Sequence, residues 1–138
     1  MKIYRNILLG IGILFMLLSL SLFAKGLVVS MAEFKVPEVV LNSAHYYDAI
    51  RWVYIHQFVL GLLIAMLGLS VTDLSKQKLI CLLLFFVTCI YTYLDFKNSD
   101  SALGNGLYQG ASSVIPAYIS LVVNLLLLMT YFLLRKKK

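Results

Sequence analysis

The chain has 138 residues, of which 62% are hydrophobic, and it carries a formal net charge of +6 at pH 7. Its mean hydropathy of +0.92 lies outside the range of soluble domains, in which about half of the residues are apolar. The length suits a single domain. These figures exclude an ordinary soluble protein and indicate one integral membrane domain over residues 1–138.

Four apolar runs make up most of the chain, at about residues 7–24, 52–71, 79–94 and 114–134. About 20 apolar residues in a helix cross a hydrocarbon core of about 30 Å. The runs are continuous rather than alternating, which favours helices over the strands of a barrel. The sequence therefore predicts an all-α membrane protein, an antiparallel four-transmembrane-helix bundle. We expect the first run to be retained as a helix, because it is longer than the apolar core of a signal peptide.

Basic residues are concentrated at both termini and between the second and third runs. The other two connecting segments are neutral or slightly acidic, so the distribution follows the positive-inside rule. It predicts that both termini are cytoplasmic, that two longer loops are extracytoplasmic, and that the membrane is the bacterial inner membrane. The basic segments contain a single acid, Asp73. Their basic residues are Lys2, Arg5, Lys76, Lys78, Arg135, Lys136, Lys137 and Lys138. They predict contact with membrane lipids, not with nucleic acid.

A stripe of small residues follows Gln57 on the second helix, at Gly61, Ala65 and Gly68. Such stripes allow two helices to pack closely, either within the bundle or with a partner membrane protein or a second copy of the chain. The linker 72–78 is short, which predicts that the second and third helices are antiparallel neighbours.

The connecting segments also hold cap signals. Asn42 or Ser43 is suited to cap a second helix of nearly 30 residues. Ser99 is suited to cap a short helix that Gly104 or Gly106 ends.

Polar and aromatic residues are concentrated in the outer half of the predicted bundle. They form either an outward-opening pocket or an ordinary interfacial belt, and both interpretations stay open. The candidate ligand-binding residues are Arg51, His56, Gln57, Tyr91, Asp95, Tyr118, Ser120 and Asn124.

Asp95 and Arg51 are the most informative charges, because they are predicted to lie at the outer ends of neighbouring helices. A salt bridge between them is the favoured interpretation, and binding of a zwitterionic or phosphate-bearing headgroup is the alternative. Tyr91, four residues before Asp95, is placed to donate its hydroxyl to that carboxylate.

No pattern predicts catalytic residues, a metal site or a cofactor. His45 and His56 are separated by about 16 Å if the helix is continuous, which argues against one metal ion bound by both unless a folded loop brings them together. Cys81 and Cys89 are also too far apart along a helix for a disulfide. The size and topology occur among immunity proteins against pore-forming bacteriocins, but no motif is shared.

Three functions stay open. The favoured one is a non-enzymatic membrane protein that binds a lipid, a small apolar ligand or a partner protein through a polar and aromatic pocket on its outer face. The alternatives are a small oligomeric transporter or channel for a neutral solute, and a membrane enzyme acting on lipid at the outer surface.

Overall fold

The computed structural model describes residues 2–26, 42–99 and 114–136, and it is all-helical in these ranges. All four helices are long and apolar enough to cross a membrane, by length and composition, which fits a membrane protein. The short helix expected after Ser99 and the rest of both longer loops lie outside the described residues. The helices are α1 (Lys2–Lys25), α2 (Ala44–Ser70), α3 (Leu74–Ser99) and α4 (Val114–Arg135).

Each helix is longer than the apolar run that predicts it, and α2 is the clearest case. Its 27 residues correspond to about 40 Å, more than the thickness of the hydrocarbon core. The expectation of a second helix of nearly 30 residues is therefore confirmed. Hydropathy marks only the segment suited to hydrocarbon, whereas a helix continues into polar sequence because its backbone hydrogen bonds are satisfied internally.

The helix ends follow from local chemistry. Gly26 adopts a positive φ of 82° and its amide donates to the carbonyl of Phe23 (3.1 Å), which ends α1 in the way typical of glycine. Ser43 precedes α2 as expected, but its hydroxyl makes no capping hydrogen bond. Asp73 caps α3, since its Oδ1 accepts from the amide of Lys76 at 2.8 Å. Asp73 was not anticipated as a cap.

Helices α1 and α2 pack closely along the predicted small-residue stripe. A Cβ added to Gly61 would lie 2.7 Å from the carbonyl oxygen of Gly12, and one added to Gly68 would lie 2.9 Å from the Cβ of Leu8. The residue numbers rise along α1 as they fall along α2, so the pair is antiparallel. The stripe is therefore occupied by α1 within the same chain.

Helices α3 and α4 form the second antiparallel pair, and the contact between the two pairs is made chiefly by α1 and α4 over a shorter stretch. The helices follow the spatial order α2, α1, α4, α3. The expectation that α2 and α3 pack as neighbours is wrong, because these two helices make only marginal contact. A short linker brings the joined ends together, but packing along the helices depends on their faces.

The end of the bundle that contains the start of α1, the end of α4 and the α2–α3 linker is called the terminal end here, and the opposite end is called the loop end. A buried core extends from the terminal end toward the middle of the bundle. Its members come from all four helices and are Tyr4, Leu8, Ile11, Ile64, Cys81, Val123, Leu127 and Leu134.

Candidate functional site

A buried polar seam joins the middle of α3 to α4. Asn124 donates from Nδ2 to Oγ1 of Thr92 (2.6 Å), and its Oδ1 accepts from the hydroxyl of Thr88. Thr92 in turn donates to the carbonyl of Thr88 (2.9 Å). All three side chains are at least 92% buried. Hydrogen bonds within hydrocarbon satisfy groups that would otherwise be costly to bury, so this seam fixes the register of the pair.

The seam continues to the loop end through Asp95 and Ser120. The hydroxyl of Ser120 donates to Oδ2 of Asp95 at 2.5 Å, a length typical of a hydrogen bond to a charged acceptor. Both residues are half-buried. Asp95 and Ser120 lie one turn closer to the loop end than Thr92 and Asn124, so the polarity of the seam increases from the middle of the bundle outward.

Aromatic rings border this end of the seam. The ring of Tyr118, two residues before Ser120, meets the ring of Phe96 edge to face at 5.8 Å. Phe96 is the residue that follows Asp95. This ring contact joins α3 to the exposed face of α4 within one turn of the hydrogen bond between Ser120 and Asp95.

Tyr118 also forms part of a groove between α1 and α4, with a volume of about 430 Å³. The groove exists because α1 and α4 contact each other less extensively than either contacts its own partner. At Gly10, an exposed residue of the lining, an added Cβ would meet nothing within 4 Å. Apolar residues predominate in the lining, which consists of Asn6, Ile7, Gly10, Ile11, Leu14, Tyr118, Ile119, Val122, Val123 and Leu126.

The remaining candidates on α2 lie apart from this region. Arg51 forms an exposed ion pair with Asp48 (3.3 Å), three residues earlier on the same helix. His56 donates from Nδ1 to the carbonyl of Trp52 (2.7 Å), and their rings lie 5.7 Å apart. Gln57 is half-buried. These contacts are local to α2, since α1 and α4 separate α2 from α3.

The interactions that the structure shows at Asp95 therefore differ from those expected from the sequence. The anticipated salt bridge between Arg51 and Asp95 is not formed, because α2 and α3 are not packed together along their length. Tyr91 is 52% exposed, and the hydrogen bond described at Asp95 comes from Ser120 instead. The predicted set therefore separates into an α2 group, an exposed Tyr91 and a group on α3 and α4 containing Asp95, Tyr118, Ser120 and Asn124.

Two polar residues at the terminal end were not among the candidates. Tyr4 is fully buried and its hydroxyl donates to the carbonyl of Leu67 (3.3 Å). Gln77 is 98% buried and donates to the carbonyl of Val71 (2.8 Å), while its Oε1 has no described partner. In the sequence, a tyrosine or glutamine close to lysines resembles a residue at the membrane interface. Only the packing shows that Tyr4 and Gln77 are buried.

Within the three described ranges, no group of three or more His, Cys, Asp or Glu side chains is arranged to hold a metal ion. No family model, no curated protein and no solved structure matches this chain. Over the residues that the structure describes, the chain thus defines a class: four helices long and apolar enough to cross a membrane, with a buried polar seam and a lateral apolar groove.

Proposed function

We propose that this protein is a non-enzymatic integral membrane protein that binds a membrane lipid, with an acyl chain of the lipid in the groove between α1 and α4. The observation that carries the proposal is the groove itself. Its volume of about 430 Å³ falls within the range of small-molecule sites, and its lining is mostly apolar. Tyr118, one of the candidate residues, forms its wall toward the loop end.

A lipid is the favoured occupant because of where the groove opens. Leu14, Tyr118 and Val122 line it and are all exposed on the surfaces of helices suited to cross a membrane. In a bilayer this surface faces acyl chains, so a lipid reaches the groove by lateral diffusion. An acyl chain in the groove contacts protein on two sides instead of one, so it gains more favourable dispersion interactions.

The other functions have weaker support. A path for a neutral solute would pass along polar groups, but Thr88, Thr92 and Asn124 are hydrogen-bonded to one another across the α3–α4 contact. Association with a second copy or a partner protein through Gly61, Ala65 and Gly68 would require displacement of α1 from these residues. An enzyme acting on lipid at the outer surface would use His56 and Asp95 together, but these residues lie on α2 and α3, which do not pack along their length.

We also propose that both termini are cytoplasmic and that the membrane is the bacterial inner membrane. The support is the charge pattern. Lys2 and Arg5 at the start of α1 and Arg135 and Lys136 at the end of α4 give the terminal end a cluster of cations, as the positive-inside rule requires of cytoplasmic segments.

Lipid binding is tested with a variant whose side chain fills the groove. Gly10→Phe introduces a large side chain where a Cβ meets no neighbour, so α1 is expected to keep its packing while the groove loses its space. Native mass spectrometry of the variant, purified in mild detergent, should show markedly less co-purified lipid than the parent. Circular dichroism should show unchanged helical content.

Leu20→Phe is the matched control, because Leu20 is exposed on α1 and does not line the groove. This variant should retain lipid like the parent. Equal lipid retention by Gly10→Phe and Leu20→Phe would overturn the proposal that the groove is the binding site.

A further inference from the structure

We propose that Asp95 binds the primary-amine headgroup of a phospholipid whose acyl chain occupies the groove, so that the protein prefers aminophospholipids to other lipids. This inference rests on the proposed function and names its lipid class. It concerns the loop end of the groove, where Tyr118 forms part of the wall and Asp95 lies on the neighbouring α3, within one turn of the contact between the rings of Tyr118 and Phe96.

The carboxylate of Asp95 can accept a further hydrogen bond from a cationic group. Its Oδ2 accepts from a neutral hydroxyl, that of Ser120, and no described cationic side chain lies within salt-bridge distance of it. Among the described cations, Arg51 pairs with Asp48 on α2, while Arg5 and Lys136 belong to the terminal end. A half-buried carboxylate that accepts from a neutral hydroxyl gains a charge-assisted hydrogen bond when an ammonium group also donates to it.

Tyr118 connects this carboxylate to the groove. It forms part of the groove wall, and its ring contacts that of Phe96, the neighbour of Asp95. A phospholipid with one chain along α1 and α4 presents its headgroup at a helix end. At the loop end, that headgroup meets the rings of Tyr118 and Phe96 and then the carboxylate. Aromatic faces also attract cations, so both features favour the same headgroup charge.

The chemistry distinguishes headgroups. A primary ammonium carries three N–H donors and can bond to Asp95 directly, whereas the trimethylammonium of phosphatidylcholine has none. The glycerol headgroup of phosphatidylglycerol has hydroxyl donors but no cation, and its phosphate leaves the lipid with a net negative charge that Asp95 repels. The expected order of binding is therefore phosphatidylethanolamine above phosphatidylcholine and phosphatidylglycerol.

The test is a competition by native mass spectrometry. The full-length protein in detergent is mixed with equal amounts of phosphatidylethanolamine, phosphatidylcholine and phosphatidylglycerol that share the same acyl chains. The parent should bind phosphatidylethanolamine roughly tenfold better than the other two, the size expected for a hydrogen bond to a charged group. Asp95→Asn should bind all three lipids equally, and Asp95→Glu should keep the preference.

Two further variants serve as checks. Asp48→Asn removes an exposed carboxylate on α2 and should keep the preference. Tyr118→Ala alters an exposed side chain, so the bundle should fold, and it should weaken the preference. If Asp95→Asn does not fold, Tyr118→Ala with an undiminished preference overturns the inference.

Failure of this inference is distinguishable from failure of the proposed function. A parent that binds the three lipids equally, or an Asp95→Asn variant that keeps the preference, overturns the headgroup assignment alone, provided that Gly10→Phe reduces total lipid. A parent that binds no lipid overturns both proposals. A Gly10→Phe variant that binds lipid like the parent overturns the groove as the site of the acyl chain.

Discussion

Gly12 and Gly61 bring the backbones of α1 and α2 into direct contact. A Cβ on Gly12 would lie 2.5 Å from the carbonyl oxygen of Gly61, a separation that no side chain can occupy without displacement of one helix. Small residues at such a crossing allow the van der Waals contact that drives helix association in lipid.

Gly61→Leu should therefore separate α1 from α2 and destabilise the bundle. Overpacking of this kind typically costs about 1–3 kcal/mol. The measurement is thermal unfolding in detergent followed by circular dichroism. Leu63→Ile, at an exposed position on the same helix, nearly conserves volume and should leave the midpoint unchanged. If the two variants are equally stable, Gly61 does not lie at a tight contact.

The polar seam predicts energetic coupling between Thr92 and Asn124. Their direct hydrogen bond should give a coupling energy of about 0.6 kcal/mol, and at most about 1.7 kcal/mol, in a double-mutant cycle of Thr92→Val with Asn124→Ala. The measurement is reversible unfolding in mixed detergent. Thr130→Val with Asn124→Ala is the matched control, because the Thr130 hydroxyl donates to Leu126 on its own helix. Additive effects in both cycles would contradict the seam.

Arg51 and Asp95 should behave independently. Arg51 contacts Asp48 on α2, and α2 does not pack along α3, so the two charges share no partner among the described residues. In a cycle of Arg51→Gln with Asp95→Asn, the unfolding energies should add to within about 0.5 kcal/mol, the usual limit for distant sites. A clearly larger coupling would mean that the two helices approach each other at the loop end.

Topology is testable by cysteine labelling in intact cells. In a background with Cys81→Ala and Cys89→Ala, a membrane-impermeant maleimide should label a cysteine placed at Ser101 but not one placed at Ser75. The positive-inside pattern gives this expectation. Labelling is repeated after permeabilisation, when both positions should react. The reverse pattern in intact cells would place the termini outside.

The helices were predictable because each apolar run is long and continuous, and a chain in hydrocarbon must satisfy its backbone internally. The face of α2 that packs was predictable too, since only small residues such as Gly61 and Ala65 allow close approach. Ser120 and Asn124 are four residues apart, a spacing that puts them on one face of α4. Both residues do contact α3.

The pairing of helices was not predictable from linker length. The segment 71–73 brings the end of α2 to the start of α3, but α1 has the glycine that matches Gly61, and α4 has the asparagine that matches Thr92. Complementarity between faces therefore determines the neighbours. The groove at Gly10 could not be predicted from the sequence, because it forms where α1 and α4 do not pack closely against each other.

The spatial order of the helices has a consequence for biosynthesis. Each helix has its main packing partner next to it in the chain, so both hairpins depend on contacts between segments that are inserted one after the other. Domains and local units generally fold from the N-terminus during synthesis. We therefore expect the hairpin of α1 and α2 to form once the chain has been inserted as far as Ser70, before α3 is inserted. We expect the second hairpin to dock afterwards against the surface of α1 that faces α4, so that assembly takes two steps.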